Sequence, residues 1–211
     1  MVSRRRHDER PIRRRGPTRE PKRRILIVCE GEKTERGYFK DFQREVRNPG
    51  VHVEVASETG EPLQVVEIAV RLKKKAEGEA RSQHDDNLRW DDVWGVVDVD
   101  EHAKLDEAQQ LALKNDIDLA ISNPCFELWA LLHFQKQRAH VERGKAQAVL
   151  RRHLPGYDKG LDLPKLHPGY GNAVRRAQAL DAEAQRQAAP GRNPTTGVYR
   201  LTESIRQGGS P

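Results

Sequence analysis

Ile25-Leu26-Ile27-Val28-Cys29-Glu30-Gly31 is a continuous apolar, largely β-branched run that stops abruptly at an acid and a glycine. A run of that length and composition suits a strand covered on both faces. From Thr34 to Val46 the apolar residues Tyr38, Phe39, Phe42 and Val46 recur at helical spacing, and Asn48-Pro49-Gly50 ends the pattern. This strand, turn and helix unit then returns. Val51, Val53 and Val55 alternate as a strand, and Leu63, Val66, Ala69 and Val70 mark a helix running into Lys73-Lys74-Lys75, read as an exposed face. Val93-Trp94-Gly95-Val96-Val97 makes a third strand ending at Asp98-Val99-Asp100, with Leu105, Ala108, Leu111 and Ala112 spaced as the helix behind it. Leu119-Ala120-Ile121 leads through Ser122-Asn123-Pro124, with Asn123 as a helix cap and Pro124 at the helix start, into an apolar helix from Phe126 to Phe134. Alternating strands and helices predict an α/β fold, a parallel four-stranded sheet with helices on both faces, over residues 25–136.

Outward from that core the character changes. Residues 137–211 show no strand pattern; 144–153, 171–187 and 196–207 read as short helices forming an extension packed on the core. Residues 57–62 and 78–90 read as polar, mobile loops. Residues 1–24 carry eleven Arg and Lys against three acids, a balance of +8 within a chain of net charge +6, so the rest of the protein stands at −2. The basicity belongs to an arm, expected to be disordered, and two readings stand: phosphate contact by counterion release, or a solubilising tail. No apolar run of signal-peptide length follows the basic residues, and no stretch approaches the roughly 20 apolar residues of a membrane span. The expectation is a soluble, cytoplasmic protein. The two cysteines, Cys29 and Cys125, each lie in an apolar run and read as reduced core residues. There is no glycine-rich phosphate loop of the Walker kind, which disfavours ATP hydrolysis by this chain.

In an open parallel sheet, ligands gather outside the carboxyl ends of the strands. Glu30 follows the first strand directly, and Asp98 and Asp100 close the third at a spacing that puts both on one face. Three anions gathered there need a compensating cation, and Mg²⁺ (or Mn²⁺) suits an all-oxygen set. Such a site supports phosphodiester displacement. Gly31 lets a phosphate approach the backbone, Lys33 reaches one as a point charge, and His102 is a candidate proton carrier or phosphate contact. Glu127 lies in the first turn of the fourth helix, near the same sheet edge. His133 reads as a core histidine, and Trp90, Trp94 and Trp129 as packing residues rather than base-stacking platforms.

The run from Ile25 to Gly31 resembles the Glu-Gly motif of Toprim domains, and Val97-Asp98-Val99-Asp100 resembles their Asp-x-Asp motif. More narrowly, the chain is similar to the RloB family from about Arg24 to Arg206. Carrying that likeness are Glu30-Gly31-Glu32-Lys33-Thr34-Glu35 with Tyr38-Phe39, Asp98-Val99-Asp100-Glu101-His102, Ser122-Asn123-Pro124-Cys125-Phe126-Glu127-Leu128-Trp129 and Asn193-Pro194-Thr195-Thr196. The resemblance implies a Mg²⁺-dependent Toprim nuclease acting on nucleic acid, RNA such as tRNA or DNA, in bacterial abortive-infection defence. A separate ABC-type or AAA-type ATPase would be its partner, and a homodimer is compatible with it. Carried over, Glu30, Asp98 and Asp100 are metal-binding and catalytic acids, Glu127 joins the active site, and Lys159 matches a position in relatives. One departure is Val99, where many relatives carry a basic residue. The alternatives are a non-catalytic binding or regulatory subunit of an ATPase-containing complex and, less favoured, a primase-like nucleotidyl transferase.

Overall fold

The computed structural model describes residues 21–99, 104–158 and 160–208. Its sheet is built from β1 (Arg23–Cys29), β2 (Val51–Val55), β3 (Asp92–Asp98), β4 (Asp118–Asn123) and β5 (Thr195–Thr196), in the order β2-β1-β3-β4-β5. The first four strands run parallel and β5 pairs antiparallel with β4. The expected α/β architecture is present, with five strands instead of four. The fifth was missed because two residues carry no period; it is held by pairing Ser122 with Thr196 and Asn123 with Thr195, and by a 2.9 Å hydroxyl contact between Ser122 and Thr196.

Every residue of β1 from Ile25 to Cys29 is fully buried, because helices cover both sides. Alternation divides the strand. Leu26 and Val28 face α2 (Pro62–Gln83) and α3 (Leu105–Lys114), whose Val65, Val66, Ala69, Ala108 and Ala112 complete that layer. Ile25, Ile27 and Cys29 face α1 (Thr34–Val46), α4 (Glu127–Phe134) and the C-terminal helices α5 (Arg143–His153), α6 (Leu163–Leu166), α7 (Tyr170–Arg186) and α8 (Val198–Gln207). Helix α4 is apolar around its whole circumference from Leu128 to Leu132 and fully buried there. A helix of that kind must be covered on every side; α5 and α7 supply the outer cover. Trp129, at its centre, meets Tyr170 edge to face at 6.1 Å, within a ring cluster that includes Tyr38, Phe39, Phe42 and Phe126.

Three local expectations are corrected. Helix α2 continues to Gln83, through part of the stretch read as a loop, because Ala76 and Ala80 keep touching the core while the rest of the turn is polar. Lys73 is not a solvated lysine: its ammonium donates to the carbonyls of Asn115 (2.7 Å) and Asp116 (3.1 Å), closing the C-terminal end of α3. Helix α4 runs from Glu127, one residue after the expected Phe126, and Asn123 ends β4 and donates its amide to the Gly191 carbonyl (2.9 Å) instead of capping the helix. Among the described residues no helix is long and apolar enough to cross a membrane.

Candidate active site

The chain turns one way from β1 to β2 and then crosses back over β1 to β3. The gap between β1 and β3 is therefore the topological switch point, where loops diverge and leave a crevice at the carboxyl ends of the strands. Glu30 extends the ladder by one residue, its N–H donating to the Val96 carbonyl at 3.0 Å. Its carboxylate then accepts the backbone N–H of Asp98 at 2.9 Å. Period-two alternation puts Asp98 on the same face as Trp94 and Val96, the face covered by α1, α4 and α5. Asp98 is 6% exposed and its Oδ2 accepts from Arg143 at 2.8 Å.

A pocket of about 330 Å³ opens at this point, lined by Glu30, Gly31, Glu32, Lys33, Thr34, Glu35, Asp98, Glu127, Arg143 and Gln147. Of the residues singled out in the sequence, it brings together Glu30, Gly31, Lys33, Asp98 and Glu127. Asp100, His102 and Lys159, and the arm up to residue 20, lie outside the described residues. Glu127 is buried, and its Oε1 accepts hydrogen bonds from the Tyr157 hydroxyl and the Gln147 amide, both at 2.9 Å. Gly31 also makes room for a neighbouring side chain. Its φ is not left-handed, and the space a Cβ would fill is taken by the Glu35 carboxyl folding back over the turn.

Residues 25–205 match the family model described as RloB-like protein. The chain belongs to the RloB-like family. Neither a curated protein nor a solved structure matches it. The matched span contains every residue lining the pocket of this RloB-like chain.

Five carboxylates line the RloB-like pocket, those of Glu30, Glu32, Glu35, Asp98 and Glu127, and two of the buried ones respond strongly. Burial, then the Glu35 charge, pushes the Asp98 carboxyl well above the usual carboxylate range, with Glu30 and Glu127 adding to the effect and Arg143 opposing it. Burial likewise drives Glu35 up to about 7; Glu127 and Glu30 add, while its own backbone amide and Arg143 pull the other way. Both thiols are pushed up: Cys29 by burial and then Glu35, and Cys125 by burial and then Glu127 and Asp98. A thiol so disfavoured as thiolate is a core residue and not a nucleophile. His133 is buried in α4, where burial lowers its imidazole to about 4.

The donor set is all hard oxygen, and repulsion between its members is what an added dication relieves, so the chemistry fits Mg²⁺ or Mn²⁺ better than a soft metal. The described residues alone do not form a ligand cage: among them no group of three or more His, Cys, Asp or Glu side chains is positioned to hold a metal ion. Two of the three expected ligands, Glu30 and Asp98, meet at the crevice.

Glu35, Arg143, Gln147 and Tyr157 went unrecognised from sequence. Glu35 carried a signal, an acid in the first turn of α1 immediately after the loop that begins with Glu30. Arg143 carried none, since only the fold brings the start of α5 back to the end of β3.

Proposed function

We propose that this protein is a Mg²⁺-dependent phosphodiesterase acting on nucleic acid, a nuclease related to the Toprim enzymes and working in bacterial phage defence. The observation that carries the reading is the meeting of Glu30 and Asp98 at the β1/β3 switch point, with Glu35 and Glu127 in the same pocket. Glu30 and Asp98, with Asp100, would hold the metal. A bound Mg²⁺ supplies positive charge that offsets the phosphate oxygens and the charge developing on the leaving group. Lys33, exposed at the pocket, binds a phosphate oxygen, and Arg143 can turn from Asp98 to do the same. Glu35, with its carboxyl at about 7, can take or return a proton at neutral pH, which is where a general acid or base works best. Tyr157 and Gln147 fix the direction of the Glu127 carboxylate. The family resemblance supports a cytoplasmic setting and an ATPase partner encoded alongside.

The test is incubation of purified protein with total tRNA, mRNA and plasmid DNA in Mg²⁺, Mn²⁺ or EDTA, beside Glu30→Gln and Asp98→Asn. Metal-dependent cleavage by the wild type that both variants lose is expected. A folded wild type that leaves every substrate intact in either metal, alone and with its ATPase partner, refutes the reading. One observation favours a second reading, a non-catalytic regulatory subunit: Asp98 is already paired with Arg143. In that case partner assembly would survive both substitutions and cleavage would be absent throughout.

A further inference from the structure

We propose that a second, basic groove on the α7 side of the molecule binds the sugar-phosphate backbone of a nucleic-acid strand. This deepens the reading of the acid pocket and rests on it for the purpose of the bound strand, though not for the binding itself. The groove encloses about 640 Å³, larger than the acid pocket, and lies between α7, residues 135–138 of the α4–α5 connection, and Arg192 ahead of β5. Its cations are Lys136, Arg138, Arg175, Arg176, Arg186 and Arg192, against the single acid Glu183. Along α7, Asn172, Arg175, Arg176, Ala179, Glu183 and Arg186 follow one helical face, while Ala173, Ala177 and Ala184 on the adjacent face are buried. The core consumes one side of the helix, and the charge stripe is what remains.

The state of those charges points to an anion. Glu183 neutralises Arg186. Among the described residues the other five cations have no ion-pair partner, and three are held by neutral oxygens: Arg176 donates to the Leu132 carbonyl (2.6 Å), Arg175 to Asn172 Oδ1 (2.5 Å) and Arg192 to Gln187 Oε1. Such contacts orient a guanidinium plane without cancelling its charge, and each fork keeps N–H donors for another acceptor. From Arg175 to Arg186 the helix rises about 17 Å, room for several consecutive phosphates of a strand laid along it. Among the described residues no aromatic side chain lines the groove, so recognition falls mainly to the charged backbone.

Along the chain, the groove lies close to the acid pocket. The Asn193 amide clamps both backbone groups of Val141, at 2.9 and 2.8 Å, joining the two loops that close this end. Two residues further on, Arg143 reaches Asp98. Five residue steps take the chain from Arg138 in the groove to Arg143, a path no longer than about 18 Å even when extended. A strand lying along the groove and running on past Arg138 would have its next phosphates within reach of the acid pocket.

The experiment uses the full chain in EDTA, so cleavage plays no part. A fluorescein-labelled single-stranded RNA, and the DNA of the same sequence, are titrated at salt concentrations from about 50 to 200 mM. Compared with the wild type are Arg138→Ala/Arg175→Ala/Arg192→Ala and, as a charge-matched control on the opposite side of the sheet, Lys74→Ala/Lys75→Ala/Arg81→Ala. Loss of about three phosphate contacts lowers the salt slope by about 2 and the affinity at least about tenfold. The control triple keeps the wild-type slope, and an Arg→Lys triple at the groove positions retains most of the binding. Equal losses in groove and control triples, no binding by the wild type, or binding only of a poly-glutamate peptide overturns the proposal. Groove-dependent binding without cleavage in either metal, alone and with the ATPase partner, overturns the nuclease reading alone; cleavage with groove-independent binding overturns the groove alone.

Discussion

Glu35→Gln should stabilise the metal-free protein at pH 8, an unusual outcome for a buried polar substitution. Glu35 is 8% exposed, and burial with its acidic neighbours raises its carboxyl from an ordinary 4.5 to about 7. A carboxyl whose folded value lies above its unfolded one favours folding only while protonated. Its contribution is present in full below about 4.5 and is lost as pH rises through about 7. That interval corresponds to about 3 kcal/mol, so at pH 8 the ionised group costs the fold about that much. Glutamine keeps the shape and carries no charge, so the substitution removes the penalty at pH 8 and changes little near pH 4.5. Urea unfolding in EDTA at half-unit steps between those limits measures it: the difference between variant and wild type should grow steadily with pH. Parallel profiles, or a variant less stable at every pH, would refute the claim that this carboxyl is held out of water among other acids.

Gly169→Ala should destabilise by about 1–3 kcal/mol, read as a lower urea midpoint, because a Cβ there collides with the His133 carbonyl oxygen, backbone that cannot swing aside. An unchanged midpoint would contradict the contact. His133 is 5% exposed and its imidazole is lowered from 6.5 to about 4, so its neutral form supports the fold fully above pH 6.5, and up to about 3 kcal/mol is lost as pH falls toward 4. His133→Leu should flatten the stability profile across that window, and an identical acid slope would rule the histidine out as its source. Arg143→Ala strips Asp98 of its 2.8 Å partner and should cost about 1.5–3 kcal/mol at pH 8, where the aspartate is most charged, and less at pH 5, where it can take a proton. Chemical denaturation at the two pH values decides this, and a loss that does not depend on pH counts against the pair.

What could be read in the chain follows from how many residues speak for each element. β1 was legible because five consecutive residues are apolar and all five are buried, and α1 because Tyr38, Phe39 and Phe42 hold one face until Asn48-Pro49-Gly50 stops it. The outer turns of α2 were not, since only Ala76 and Ala80 continue the apolar face among charged neighbours. β5 was invisible for a different reason. Its two threonines form a strand only because β4 offers them an edge, a property of the partner and not of the segment. In the site, Glu30 and Asp98 were legible as acids that end buried strands. Arg143 was not, because its place depends on the path of residues 135–142, which is set by contacts such as the Asn193 clamp on Val141 rather than by local pattern.

The charge balance separates this pocket from an ordinary structural network. Other partly buried charges in the fold are matched: Arg23 meets Asp92 at the start of the sheet, and Lys73 meets backbone carbonyls at the end of α3. At the carboxyl ends of β1 and β3, five carboxylates share a pocket with two cations, Arg143 and Lys33, and Lys33 is exposed. The result is two enclosed acids raised out of their normal range, a standing cost to the folded state. Apolar residues of similar volume would pack the same space without that cost. A fold that tolerates such a concentration of like charge at the one crevice its topology creates is suited to receiving positive charge there, which supports our proposal of a Mg²⁺-dependent phosphodiester site.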